Sequence, residues 1–394
     1  MPGPGAYWFG KEEIEAAMEV LQSGNLFRYG NENDPNYLKK VFTLEKEFAR
    51  YCGTNYALAT SSGTSSLLVS AFALGLKPGD EIIVPAYTFV ASYSSLIFLG
   101  LVPVLTEIDE SLSIDPDDIE RRITKRTRAI MPVHMLGNPC DMDRIMVIAK
   151  KHDLLVLEDC CQAAGASFKG KKIGTIGNMG AFSLNVFKTI NSGDGGLVIT
   201  NDKDLYETAF GMHDQGHKPN RTGVEVGNRS LLGLNFRINE LTAAIALAQL
   251  GKLDKIVVTL REKRKILKEL ISKAKRFKFR ILNDPEGDCG TLCTVIFDTK
   301  EHAAKVSAIL GSKTVDQSGW HVYANMEHVL AHLKKIGQPH KKGSYPKTDD
   351  ILSRAMNISV GVVDGGLGAG WGININSTEK EIEAAAAKFN DACK

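Results

Sequence analysis

The sequence predicts an α/β protein: a large domain with a mostly parallel sheet between helices, and a smaller C-terminal α+β domain. Three observations carry this. Strand-sized apolar runs alternate with helical patterns from Asn55 to Asp159, the pattern of a parallel sheet covered on both faces. From about Val257 the alternation stops, and strands follow with few helices and no regular order. The chain has 394 residues, enough for one large core and a second, smaller one. We place the large domain at residues 1–256 and the small one at 257–394.

The elements run in this order. Glu12–Gln22 is an amphipathic helix, with Gly24 as its stop. "NLFRYGNENDPN" is a loop, covering residues 25–36, and Tyr37–Tyr51 reads as a second helix. "NYALAT" is a short strand, "SSGTSS" the turn after it and "LLVSAFALGL" a helix. "DEIIVPAYTF" is a strand leading to the helix "VASYSSLIFLG". "VPVLTEID", "RAIMPVHML" and "LLVLED" are strands, separated by the helices "IDPDDIERRI" and "DMDRIMVIAKKH". Leu197–Thr200 fits a further strand, and Leu241 opens a helical pattern that continues through about Leu270. Phe277–Thr299 returns to strand-like texture.

Composition narrows the function. Forty-eight Lys and Arg against 46 Asp and Glu leave a net charge of +2, which argues against gripping nucleic acid through bulk charge. The basic stretch Arg261–Arg280 carries apolar residues at helical spacing and reads as a solvated helix face. The longest apolar runs, such as Glu81–Val90, are strand-sized, so no membrane span is expected. The first residues lack the charged start and apolar stretch of a secretory signal. Seven cysteines with no C-x-x-C pair read as reduced thiols, without a disulfide frame or metal site, and a cytoplasmic location is expected.

Ligands of open α/β sheets bind beyond the carboxyl ends of strands. After the first strand, Thr60–Ser65 lead straight into a helix, and this reads either as an N-cap or as a cradle for a phosphate. It is neither a G-x-G-x-x-G nor a G-x-x-x-x-G-K-[ST] sequence. The strand "LLVLED" ends in Glu158 and Asp159, either capping the next segment or pairing with a cationic group. Lys188 follows on a short polar link, with Ser183 before it and the glycine-rich "SGDGG" behind it. A phosphate cradle, a strand-end Asp and a loop Lys together fit pyridoxal 5′-phosphate (PLP). The lysine anchors its aldehyde as a Schiff base, and the Asp keeps the ring nitrogen protonated. The glycines are expected to leave room beside Lys188.

The stretches "SSGTSSL", "PAYTFVAS", "EDCCQAAGASFKGKKIGTIGNMGAFS", "FKTINSGDGGLVITND" and "GLNFRINELTAAIALAQL" resemble the DegT/DnrJ/EryC1/StrS sugar aminotransferases, of aspartate-aminotransferase fold type I. They cover most of Asn55–Leu250, and the C-terminal third matches only weakly. The resemblance implies that Lys188 is the anchoring lysine and proton shuttle and that Asp159 pairs with the pyridine nitrogen. It places Gln162 near the phenolic oxygen, Gly63, Thr64 and Ser183 on the phosphate, and Phe89 on the ring. Phe89 also reads as a core aromatic. Asn235 is implied to reach the cofactor phosphate of a neighbouring subunit, in a homodimer with shared sites. Asp194 stands where the family's G-E-G-G has Glu, and we assign it no role. Relatives with His in place of Lys188 remove a hydroxyl instead, so Lys188 favours transamination.

One subgroup is closer in appearance. "NLFRYG", "PVHMLG", "HDQGH", "DPEGD" and "SGW" resemble the aminotransferases that make 8-amino-3,8-dideoxy-manno-octulosonate for lipopolysaccharide. That resemblance implies glutamate as donor and an oxidised 3-deoxy-octulosonate as acceptor. The loop 25–36 would then be a substrate loop, with Arg28 on the acceptor carboxylate. Tyr29, His213, His217, Trp320 and His321 are candidates for the sugar pocket, and each of these residues also reads as structural. The alternatives are a nucleotide-linked 3- or 4-keto sugar or an inosose as acceptor, a fold type I lyase or desulfurase, and a non-catalytic PLP-binding regulator. No cysteine stands out for a desulfurase, and no helix-turn-helix extension for a regulator.

Overall fold

The computed structural model describes residues 3–219, 227 and 229–394. Seven strands form the main sheet: β1 (Tyr56–Thr60), β2 (Glu81–Pro85), β3 (Val102–Thr106), β4 (Thr127–Ile130), β5 (Leu155–Asp159), β6 (Met179–Ser183) and β7 (Gly196–Thr200). Their order is β1-β7-β6-β5-β4-β2-β3. Strands β2 to β6 pair in parallel, and β7 lies antiparallel between β1 and β6. Every residue of β2, β6 and β7 is buried, as a sheet covered on both faces requires. The predicted large domain thus has a mostly parallel sheet, the sheet of a fold type I enzyme.

Two of the helices around the site are capped by a side chain, Ser62 before Gly63 and Asn239 before Glu240. The helices that matter for the site are α1 (Lys11–Ser23), α2 (Lys40–Cys52), α3 (Gly63–Ala73), α4 (Ala91–Phe98), α5 (Glu240–Leu250) and α6 (Leu253–Ile271). Gly24 ends α1 at φ 71°, in the left-handed region expected of a glycine stop. The long helical pattern expected from Leu241 is two helices, broken at Gly251–Lys252, with Lys252 anchored to Glu13 and the Trp8 carbonyl. The boundary expected at residue 257 falls inside α6.

Beyond α6, β8 (Phe277–Phe279), β9 (Leu292–Phe297) and β10 (Ala355–Ser359) form a three-stranded antiparallel sheet. This C-terminal part reaches back to the main sheet. The Thr88 and Val90 N–H groups donate to the carbonyls of His321 and Trp320, each at 2.9 Å, so residues 320–322 are pinned along the end of β2. Among the described residues no helix is long and apolar enough to cross a membrane.

Candidate active site

The residues at the carboxyl ends of β1, β2, β5 and β6 surround a cavity of 590 Å³. That size falls within the about 300–1,000 Å³ typical of small-molecule sites. At the end of β1 the chain turns through Ser62 into α3. Ser65 N donates to Ser62 Oγ at 3.1 Å, and Ser62 N donates to Ser65 Oγ at 2.8 Å. The first helical bond runs from Ser66 N to Ser62 O. The N–H groups of Gly63 and Thr64 therefore precede the ladder, at the positive end of the helix dipole. Both line the cavity, as does Ser183 at the end of β6. A Cβ on Gly63 would lie 2.6 Å from Ser183 Cβ and 3.1 Å from Cys161 Sγ. Only glycine lets these strand ends approach so closely.

Asp159, 3% exposed, ends β5 at the cavity wall. Its Oδ1 accepts from Cys161 N at 3.0 Å and its Oδ2 from Ser92 Oγ at 2.7 Å, while Ser92 also bonds Thr88. A carboxylate offers about four lone-pair sites, so capacity remains for a protonated ring nitrogen. Gln162 lines the same wall, its Oε1 held by Leu136 N at 3.1 Å. Lys188 enters the cavity from the link between β6 and β7. Burial lowers the pKa of its amine, and the Asp159 and Asp364 carboxylates oppose that shift. An anion cradle, a carboxylate and an amine sharing one cavity fit pyridoxal phosphate, which is the cofactor.

Gly63, Thr64, Asp159, Gln162 and Ser183, five of the expected residues, thus line the cavity with Lys188, and others ring the mouth. Phe89 is 40% exposed, 5.3 Å from the His321 ring, so it is not a core aromatic. Trp320 and His321 line the cavity as well. Ser318 Oγ lies 3.0 Å from His321 Nδ1, and burial together with Lys188 pushes the His321 pKa down to about 3. It is a neutral imidazole. Asp194 also lines the cavity, its Oδ1 accepting from Asn185 Nδ2 at 3.0 Å.

Arg28, Tyr29 and His213 are elsewhere. The Arg28 side chain is fully buried: Nη2 donates to both Glu45 carboxylate oxygens at 3.1 Å, and Nη1 meets His213 Nε2 at 2.9 Å. The Phe42 and Phe210 rings flank its guanidinium at 5.1 and 5.6 Å. His213 Nδ1 bonds the Phe210 carbonyl at 2.7 Å, and burial beside Arg28 pushes its pKa down to about 3. Tyr29 donates to Asp214, and His217 bonds the Asp214 carbonyl. None of these lines the cavity. The physical reason is Glu45: a buried carboxylate needs a charged partner, and Arg28 supplies it. Of the glycines behind Lys188, Gly196 differs in role from the expectation. A Cβ on Gly196 would meet Ser62 O at 2.4 Å, so that glycine lets β7 pass against the start of α3 instead of making room for a ligand. Asn235 is exposed and does not line the cavity of its own chain.

The sequence reading missed Ser92, Asn185, Phe187 and Asp364, all on the cavity wall. Ser92 has a signal in hindsight: it sits just past a strand end, four residues after Thr88. Asp364 lies in the glycine-rich "VVDGGLGAG", which carries none. Glu158 is a separate case. It accepts from the N–H groups of Gly174, Ile176 and Gly177 at 2.6–2.8 Å and bonds His134 Nε2 at 3.1 Å. His134 Nδ1 accepts from Cys140 N, so its Nε2 carries the proton. With Cys160 nearby the group has the makings of a metal centre, but these bonds already use both imidazole nitrogens, and it works as a clamp on the loop before β6.

Comparison with known proteins places these features in context. A family model described as the DegT/DnrJ/EryC1/StrS aminotransferase family matches residues 9–363. A GDP-perosamine synthase of Caulobacter vibrioides is 42% identical over 54% of this chain, and the match spans 57% of that protein. One from Escherichia coli O157:H7 is 40% identical over 67% of this chain and 69% of its own. Among solved structures, the aminotransferase from Psychrobacter cryohalolentis superposes with a TM-score of 0.83 at 25% identity, covering 99% of this chain and 98% of that one.

Proposed function

The chain belongs to the DegT/DnrJ/EryC1/StrS aminotransferase family, and from that premise we propose that it moves an amino group from glutamate onto a ketone carbon of a nucleotide-linked sugar. The chain is a PLP-dependent sugar transaminase of fold type I; the donor, the acceptor and the residue roles are our reading. The observation that carries the acceptor is the commitment of Arg28. The octulosonate reading needed that guanidinium for a carboxylate, and Glu45 and His213 already hold it. The similarity to two GDP-perosamine synthases supports the same choice. An oxidised octulosonate is the second reading, resting on the subgroup resemblance of the loop segments alone.

When bound, PLP supplies an electrophilic carbon that carries the amino group and a ring that takes up an electron pair. The chain's own residues do the rest. Gly63, Thr64 and Ser183 hold the phosphate at the start of α3. Asp159, oriented by Ser92 and the Cys161 N–H, keeps the ring nitrogen protonated. Gln162, held by the Leu136 N–H, would face the cofactor's phenolic oxygen. Lys188 would anchor the cofactor, and its Nζ, once free, would take the proton that leaves the glutamate α-carbon. In the second half it delivers a proton to the sugar carbon. Burial favours the neutral amine, the form able to accept that proton. Neutral His321 exchanges no proton in this scheme. We place the enzyme in the cytoplasm, as a homodimer in which Asn235 reaches the partner's cofactor phosphate.

A substrate panel tests the acceptor. The glutamate-loaded enzyme is offered GDP- and UDP-linked ketosugars, an inosose and an oxidised octulosonate, and return of the cofactor's absorbance is followed. The nucleotide-linked sugars should react fastest. Faster turnover of the octulosonate overturns the proposal in favour of the second reading.

A further inference from the structure

We infer that Trp320 is the platform on which the base of a nucleoside diphosphate carrier stacks, at the outer end of the same cavity; this rests on the nucleotide-linked acceptor proposed above. Exposure rises along the cavity wall. Asp159 is 3% and His321 5% exposed, against 38% for Phe187, 40% for Phe89 and 56% for Trp320. A sugar joined to a carrier must put its reacting carbon beside Lys188 and its carrier towards the mouth, where these three rings stand.

Trp320 is presented on rigid backbone. Its carbonyl accepts from Val90 N and that of His321 from Thr88 N, each at 2.9 Å. Asn325 Nδ2 donates to Ser318 O at 2.9 Å, holding the approach to the indole. Among the described residues the ring paired with the indole is His328, 6.4 Å away and inclined at 64°, too distant and too steep for a stacked partner. A large, fixed, half-open indole suits the face of a planar heterocycle. Stacking of this kind is tolerant of base identity. Among the described lining residues Lys188 is the only Lys or Arg, and the carboxylates of Asp159, Asp194 and Asp364 outnumber it. A diphosphate therefore finds little charge pairing on this wall, so stacking at the rim matters more for holding the carrier.

The test is calorimetric titration of the PLP-loaded enzyme with GDP, with UDP and, as a probe lacking a base, with ribose 5-phosphate. Trp320→Ala should weaken GDP and UDP binding by roughly tenfold or more and leave ribose 5-phosphate unchanged. Trp320→Phe keeps an aromatic face and should restore most of the affinity, and melting of each loaded variant reports its fold. If Trp320→Ala binds the two nucleotides like the wild type, or loses ribose 5-phosphate equally, the stacking role is overturned while the carrier reading stands. If the wild type binds neither nucleotide, the carrier reading fails first and the platform with it.

Discussion

Arg28 shows how one side chain's role depends on its neighbours. Its guanidinium pairs with Glu45, whose Oε1 also accepts from Ala59 N, next to the end of β1. The pair therefore ties the N-terminal loop to the strand that leads into the phosphate cradle. Removing one partner of a buried pair strands the other charge, at a cost of about 3–5 kcal/mol. Arg28→Gln should accordingly lower the urea midpoint sharply, while enzyme that remains folded keeps its acceptor Michaelis constant. A raised Michaelis constant at unchanged stability would return Arg28 to the substrate.

The site depends on three elements meeting at one edge: the start of α3, the end of β5 and the link between β6 and β7. Gly63 is the point of closest approach. Adding a methyl there forces the start of α3 off Ser183, since the new Cβ would lie 2.6 Å from Ser183 Cβ. Overpacking of this kind costs about 1–3 kcal/mol. We expect Gly63→Ala to loosen PLP binding by roughly ten- to a hundredfold, read as cofactor released on dialysis. Retention equal to the wild type would mean the cradle has slack that the geometry does not show. The same closeness explains Gly196, whose place in β7 is against the Ser62 carbonyl. Of the glycines behind Lys188, Gly196 serves the packing of β7 on α3.

The whole molecule leaves apolar surface uncovered. Ile14, Met18 and Leu21 recur at helical spacing on α1 and are 45–56% exposed, and Leu232 is 93% exposed near Asn235. Unpartnered apolar surface of this kind marks an interaction face, and it is what the proposed homodimer would cover. Mixing Asn235→Ala chains with Lys188→Ala chains checks the shared site. Random pairing makes half the dimers mixed, each with one intact site, so activity should recover to about a quarter of wild type. Recovery no better than the Asn235→Ala chains alone would mean that each site is built from one chain.

The residues that touch chemistry at strand ends were legible in the sequence, because local pattern alone determines a strand end. The positions of Lys188, Asp159 and the Ser62–Thr64 turn follow from alternating strands and helices, from capping residues and from carboxylates placed after apolar runs, whereas Gln162 came from the family resemblance alone. The family likeness lies in the same short stretches. Strand β6 was not legible: "MGAFS" has no β-branched residue, and its strand state comes from pairing with β5 and β7. The fates of Arg28, Tyr29 and His213 were not legible either. Whether a charged or aromatic side chain faces a ligand or a buried partner depends on residues distant in sequence, here Glu45, Phe210 and Asp214. Trp320 joined the cavity through hydrogen bonds from Thr88 and Val90, more than two hundred residues away in the chain. Local periodicity determined the elements and their chemistry; only packing between distant segments decided which side chains share one cavity, because burial and pairing are properties of the assembled core.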